Sequence, residues 1–253
     1  MLDQSTILPI ECDHLSKNFG PLTALNRITL SIKKGEICVV IGPNGSGKTT
    51  LLKILATLIT PSDGVARVYG DDVTHVPDRV RTKIGFVSSE ERSFFWRLTG
   101  KQNLRFFASL YDMSGSERDR RIHYLLERLG FNGLGDRRFS DYSTGMKQAL
   151  AIVRGFIHDP EVLLLDEPTR SLSPDMAKRL REVICDEAKK GKTFLIASHN
   201  LNEVEKIADQ VAILHKGILR AAGTVEELSS HAGFSADRDL DIAFTHFTGN
   251  TRE

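Results

Sequence analysis

The chain has 253 residues, 40% hydrophobic and 26% charged, and its 34 basic and 33 acidic side chains leave a net charge of +1. That length buries the core of one large or two small domains, and that composition excludes a disordered or fibrous chain. A charge balance so close to zero supplies no global field for gripping a polyanion, so no nucleic-acid partner is expected.

The opening MLDQSTILPIECDHLSKNF lacks the basic region and apolar stretch of a secretion signal. The longest apolar runs, ICVVIG and VLLLD, are too short to cross a bilayer. A cytoplasmic protein is expected, with any membrane role borrowed from a partner. Cys12, Cys38 and Cys185 are scattered, odd in number and outside any CxxC pattern, and read as reduced buried thiols.

Residues 26–32, NRITLSI, alternate apolar and polar as an outer antiparallel strand does. EICVVIG (36–42) is a continuous apolar run suited to a central parallel strand. GPNGSGKTT follows, then LLKILATLI, whose Leu51, Leu52, Leu55 and Leu58 mark a helix face. TPSDG is a turn, and VARVYG (65–70) returns to strand alternation.

From 101 to 157 helical periodicity takes over. Leu104, Phe107, Ala108 and Tyr111 share one face. Ile122, Leu125, Leu126 and Leu129 share another, opened by a capping box from Ser116 to Asp119, and a third run after Thr144 carries Leu150, Val153 and Ile157. Residues of about 90–158 are therefore expected to form a helical subdomain inserted into an α/β core.

Strand and helix then alternate again. EVLLLD is a buried strand, and the next helix has Ser173 as N-cap, Pro174 at its first position and Gly191 as its stop. TFLIASH is a strand, NLNEVEKIAD a helix with Asn200 and Glu203 as capping pair, and QVAILHKGILRAAG a hairpin turning at Lys216 and Gly217. A short helix and a polar tail, residues 229–253, are expected to end the chain.

The sharpest chemical signal is Gly42, Pro43, Asn44, Gly45, Ser46, Gly47, Lys48, Thr49, Thr50, which satisfies the P-loop pattern between a predicted strand and a predicted helix. Gly45 and Gly47 let the backbone wrap so that N–H groups and the helix N-terminus point at phosphate oxygens. Lys48 adds a charge at the β- and γ-phosphates, and Thr49 a hydroxyl for Mg²⁺. VLLLDEP then ends an apolar strand in two carboxylates. Asp166 is the expected Mg²⁺ partner through water, and Glu167 the base or water-orienting group. ATP and Mg²⁺ are the expected cofactors.

YSTGMKQ (142–148), some 18 residues before those carboxylates, is similar to the ABC signature, usually LSGGQ, keeping Ser143 and Gly145. The chain from about 8 to 228 resembles the ABC transporter ATP-binding subunits. That resemblance implies a P-loop NTPase of α/β class, a RecA-like core (8–89 and 159–228) with an antiparallel β subdomain and the inserted helical subdomain. It also implies head-to-tail pairing of two such subunits, as homodimer or heterodimer, with Ser143 and Gly145 of one holding the γ-phosphate bound to the other. Phe19, 23 residues before Gly42, resembles the aromatic residue that stacks on adenine; the alternative is a core phenylalanine at a strand end. His199 resembles the switch histidine that contacts the γ-phosphate, with a surface histidine as the alternative.

Two positions depart from the family pattern. In IGFVSSEE the usual Q-loop glutamine is replaced by Ser89, with Glu90 next, and Ser89 is too short to reach metal and water in the same way. In RSLSP, Ser173 stands where an aspartate is usual. Hydrolysis is still expected, because Lys48, Asp166, Glu167 and His199 are intact. A binding module that senses ATP without hydrolysing it is the reading these departures keep open.

A single nucleotide-binding unit, the variant signature and the stretch ASHNLNEVEKIADQVAILHKG resemble the ATPases of type-two ABC exporters. An importer ATPase and a non-transport ABC ATPase acting on ribosomes or DNA are the alternatives. The implied partner is a transmembrane permease that holds the subunit at the inner face of the membrane. Phe94, Phe95 and Trp96 read either as an apolar socket for that permease or as core of the helical subdomain.

Overall fold

A computed structural model describes residues 7–88, 93–231 and 240–249. The expected Q-loop positions Ser89 and Glu90 lie outside the described residues. Two sheets organise the chain. The first is antiparallel, ordered β2-β1-β4-β5, from β1 (Ile10–Phe19), β2 (Leu22–Ile32), β4 (Asp63–Val68) and β5 (Asp71–Asp72). The second, ordered β10-β9-β3-β8-β7-β6, comprises β3 (Ile37–Ile41), β6 (Ile84–Val87), β7 (Val162–Asp166), β8 (Thr193–Ser198), β9 (Gln210–His215) and β10 (Ile218–Gly223). It is parallel apart from β10, which pairs antiparallel with β9.

Strand parity explains why the parallel strands read as unbroken apolar runs. On β3, Ile37, Val39 and Ile41 face one apolar layer, while Cys38 and Val40 face the other. Leu163 and Leu165 of β7 likewise face the first layer, and Val162 and Leu164 the second. A strand covered on both faces has no polar side to show. The second layer holds α1 (Lys48–Leu55) and the antiparallel sheet, so Asp166, the next alternate residue after Leu164, falls on the α1 side.

The first layer holds α5 (Thr144–Gly155), α6 (Pro174–Lys189) and α7 (Leu201–Ile207), together with α3 (Gly100–Ser109) and α4 (Gly115–Arg128). Between β6 and β7 the described residues form the helices α3, α4 and α5, with two short 3₁₀ turns between α4 and α5. The remaining helices are α2 (Pro77–Lys83), α8 (Val225–His231) and α9 (Leu240–Thr248). No helix among the described residues is long and apolar enough to cross a membrane.

Several local expectations are corrected. α1 stops at Leu55, Thr57 takes a left-handed φ of 60°, and Leu58 is exposed instead of lying on the core face. Ser116 and Asp119 form no capping box: α4 begins at Gly115, and Asp119 is held by a bidentate pair with Arg105, both bonds 2.9 Å. Asn200 makes no side-chain cap, and the Glu203 carboxylate is engaged instead by Thr169 at 2.6 Å and Arg181 at 2.8 Å. α3 ends at Ser109, leaving Tyr111 beyond it and stacked on His158. Cys12 and Cys38 are free and buried, whereas Cys185 is only half-buried. The expected polar tail contains α9, which places Leu240, Ala243, Phe244 and Phe247 against the core at helical spacing.

Candidate functional site

The carboxyl ends of β3, β7 and β8 lie side by side, with Ile41 paired to Ser198 and Asp166 to Ala197. The residues that follow these ends, Gly42, Glu167 and His199, therefore open onto one place, where ligands settle in open α/β sheets. A cavity of about 730 Å³ occupies it. Its walls are Phe19, Leu22, Thr23, Ala24, every residue from Gly42 to Thr50, Asp166, Glu167, Arg170, His199, Leu201 and Phe244.

The loop from Gly42 to Gly47 has a tight frame. A Cβ on Gly42 would lie 2.1 Å from the Leu214 carbonyl oxygen, and one on Gly47 2.5 Å from that of Ala24. Gly47, the N-cap of α1, also holds a φ of 110°, which side chains disfavour. The first turn of α1 accordingly presents its unpaired N–H groups and positive dipole end to the cavity. Lys48 is buried and donates to the carbonyls of Gly42 at 2.6 Å and Pro43 at 3.1 Å. Burial pulls its ammonium below the usual lysine range, while the charges of Glu167 and Asp166 push the other way.

Asp166, 1% exposed, accepts from the Thr49 hydroxyl at 3.2 and 3.1 Å. Glu167 turns away from the strand with a φ of 50°, a conformation that costs a non-glycine residue about 1–2 kcal/mol. Its amide is still anchored, donating to the Ala197 carbonyl at 3.0 Å. The turn sets Glu167 Oε1 2.7 Å from His199 Nδ1, an ion pair when the imidazole is protonated and a hydrogen bond when it is neutral.

The residues fit a phosphate-bearing ligand with a small hard cation. Ser46 Oγ is buried in the cavity wall and has no hydrogen-bond partner among the described residues, so it lacks a ligand oxygen or donor. Thr49 and Asp166 offer two hard oxygen donors at one point. No cluster of three or more His, Cys, Asp or Glu suited to a metal occurs among the described residues. A partial set suits magnesium, which keeps waters and phosphates in its shell, better than metals that need a full protein cage.

Of the expected site residues, the cavity gathers Phe19, Lys48, Thr49, Thr50, Asp166, Glu167, His199 and the glycine loop. Phe19 is 46% exposed, with Lys17 Nζ 4.9 Å from its ring centroid, and is no core residue. Ser143 and Gly145 are not in the cavity: Ser143 is exposed, and its hydroxyl caps α5 by accepting from the Met146 amide at 3.3 Å. Residue-by-residue reading missed Leu22, Thr23, Ala24, Arg170, Leu201 and Phe244. Only Arg170 carried a signal, a cation four residues past Asp166.

Known proteins match both the sequence and this architecture. Residues 25–170 match the ABC transporter family. The ABC transporter ATP-binding protein NatA of Bacillus subtilis (strain 168) is 36% identical over 221 residues, 87% of this chain and 88% of that protein. A solved ATP-binding subunit of an ABC transporter superposes with a TM-score of 0.87 at 28% identity, covering 94% of this chain and 98% of the other. A dimeric ATP-binding cassette in a post-hydrolysis state, bound to ADP and Pi, gives a TM-score of 0.78 at 25% identity, covering 85% and 98%. A phosphate-fitted cavity at the strand ends, a matching family and relatives aligned over most of their length agree: the chain is an ATP-binding subunit of the ABC transporter family.

Proposed function

We propose that this chain binds and hydrolyses ATP to drive a membrane exporter, working in pairs whose closing and opening move a permease. The observation that carries the reading is the convergence of Lys48, Thr49, Asp166, Glu167 and His199 on one cavity. Phe19 would stack on the base, leaving the triphosphate along the amides of residues 44–50. Lys48 would exchange the Gly42 and Pro43 carbonyls for phosphate oxygens, its ammonium being already withdrawn from water. Thr49 and Asp166 would hold magnesium, which neutralises charge on the phosphates when bound.

Glu167 would align a water for in-line attack on the γ-phosphorus and accept its proton as the bond to the bridging oxygen breaks, releasing ADP and phosphate. His199, in contact with the Glu167 carboxylate, would fix that carboxylate and reach the γ-phosphate. Ser143 and Gly145 stand outside their own cavity, which supports a role toward the nucleotide of a second subunit. Differential affinity of ATP and ADP for the closed pair would supply the bias.

The two readings of the aromatic segment divide between its residues. Phe94 is core, packed on Phe107 and Phe139. Phe95 and Trp96 are exposed, Phe95 lying edge-on to the exposed ring of Phe106. We assign this exposed pair to permease docking. Polar substitution of both should leave ATP turnover intact and abolish co-purification with the permease.

The decisive experiment is Glu167→Gln. Turnover should fall about 100-fold or more while nucleotide binding persists, and gel filtration with ATP should show a trapped dimer. Unchanged turnover would remove Glu167 from the mechanism.

A further inference from the structure

The cavity contains a second cation that the mechanism above does not use. Arg170 lines it, is exposed, and enters no ion pair or side-chain hydrogen bond among the described residues. Lys48 differs, being already engaged by two carbonyls. Both acids of the cavity have other partners: Asp166 holds Thr49, and Glu167 meets His199.

The backbone beneath Arg170 is held from three directions. Its amide donates to the Glu167 carbonyl at 3.3 Å, and the Leu172 amide to that of Thr169 at 3.1 Å. The Thr169 hydroxyl donates to Glu203 on α7 at 2.6 Å. The far side is closed by α5, where a Cβ on Gly145 would lie 2.5 Å from the Ser171 carbonyl oxygen. A pinned turn thus carries an unpinned guanidinium. Arg170 follows Glu167 by three residues in that turn and lines the same cavity as Glu167 and His199.

Charge points the same way. Among the lining residues, Lys48 and Arg170 offset the charges of Asp166 and Glu167. A planar fork of N–H donors suits the equatorial oxygens of a terminal phosphoryl group. We propose that Arg170 is a terminal-phosphate ligand that lets this site tell a nucleoside triphosphate from a diphosphate, an assignment that rests on the nucleotide reading above.

The test is calorimetric titration of the full chain and its Arg170→Ala and Arg170→Lys variants with magnesium and either ADP or the slowly hydrolysed triphosphate analogue AMP-PNP. Arg170→Ala should weaken AMP-PNP about tenfold or more, the worth of a charged hydrogen bond, and ADP by less than about twofold. Arg170→Lys, which keeps the charge without the fork, should fall between. Equal losses for the two nucleotides, or no loss for either, overturn the assignment. If the unsubstituted chain binds neither nucleotide, the nucleotide reading itself falls and this assignment goes with it.

Discussion

The glycine loop with its facing carboxylates and the turn at Ser143 to Gly145 are both helix N-termini, yet they are built to different ends. At α1 the cap is a left-handed glycine with no side-chain acceptor, the hydroxyl of Ser46 is unpartnered among the described residues, and the dipole end opens into a walled cavity. At α5 the cap is the Ser143 side chain, already bonded to Met146, and the residue is exposed. The first terminus keeps its donors turned to the cavity; the second is capped within the chain and faces outward. The cavity gathers the glycine loop and the carboxylates without the signature residues Ser143 and Gly145, which is why a second subunit enters the proposal.

That contrast breaks first if Lys48→Ala binds nucleotide as the native chain does. Loss of the one buried cation in the loop should weaken magnesium nucleotide about 100-fold, read by calorimetry. Gly145→Val is the counterpart on the other terminus. Its side chain collides with the Ser171 carbonyl, so ATP-dependent dimerisation in gel filtration should be lost while monomer affinity for ADP stays within about twofold. Equal damage to nucleotide binding by both variants would erase the distinction between the two regions.

Ser143→Ala is gentler. Removing the cap should cost about 1 kcal/mol in urea unfolding, and the ATP-bound dimer should weaken beyond that loss. A dimer constant unchanged by Ser143→Ala would make this residue a cap alone.

The smallest effect concerns the seam between the helices of 100–155 and the sheet. His158 stacks on Tyr111 with ring centroids 3.8 Å apart and meets the Ile84 carbonyl at 2.9 Å through Nε2. Burial, chiefly, with Arg121 and Lys192 adding repulsion, pulls its pKa from 6.5 to about 4, against the pull of the Ile84 carbonyl and Asp159. The folded value lies below the unfolded one, so between these pH values the unfolded chain binds more protons. Stability contributed by neutral His158 is complete above about pH 6.5 and declines as pH falls toward 4. His158→Gln should flatten that part of the urea-midpoint profile relative to the native chain, with little effect above pH 7.

The glycine loop was legible because its chemistry is contiguous: strand, turn, lysine and helix follow one another, and each residue type has one reason to be there. VLLLDEP was legible because a strand covered on both faces reads as an apolar run, so its terminal acids stand out. β1 and β6 were harder. In β1 the alternation of Ile10 to Asp13 breaks at His14, whose φ of 49° shifts the register so that Leu15 is the next buried residue, and pairing on both edges by β2 and β4 comes from tertiary contacts. β6 is only four residues long. The helix in the expected tail shows its spacing only once Leu240, Ala243, Phe244 and Phe247 have a surface to bury against.

Sequence alone pointed to a phosphate-binding loop and singled out Lys48, Thr49, Asp166 and Glu167, which the fold gathers in one cavity. Each of the two motifs is read from residue types at short spacing, where backbone geometry leaves few options. Tertiary structure decided which distant residues meet them. It brought Phe19 and Phe244 from opposite ends of the chain to one cavity, left Arg170 in its wall, and kept Ser143 out. These outcomes follow from how strand ends align and layers pack, and that alignment sums contacts far apart in sequence, which no local pattern records.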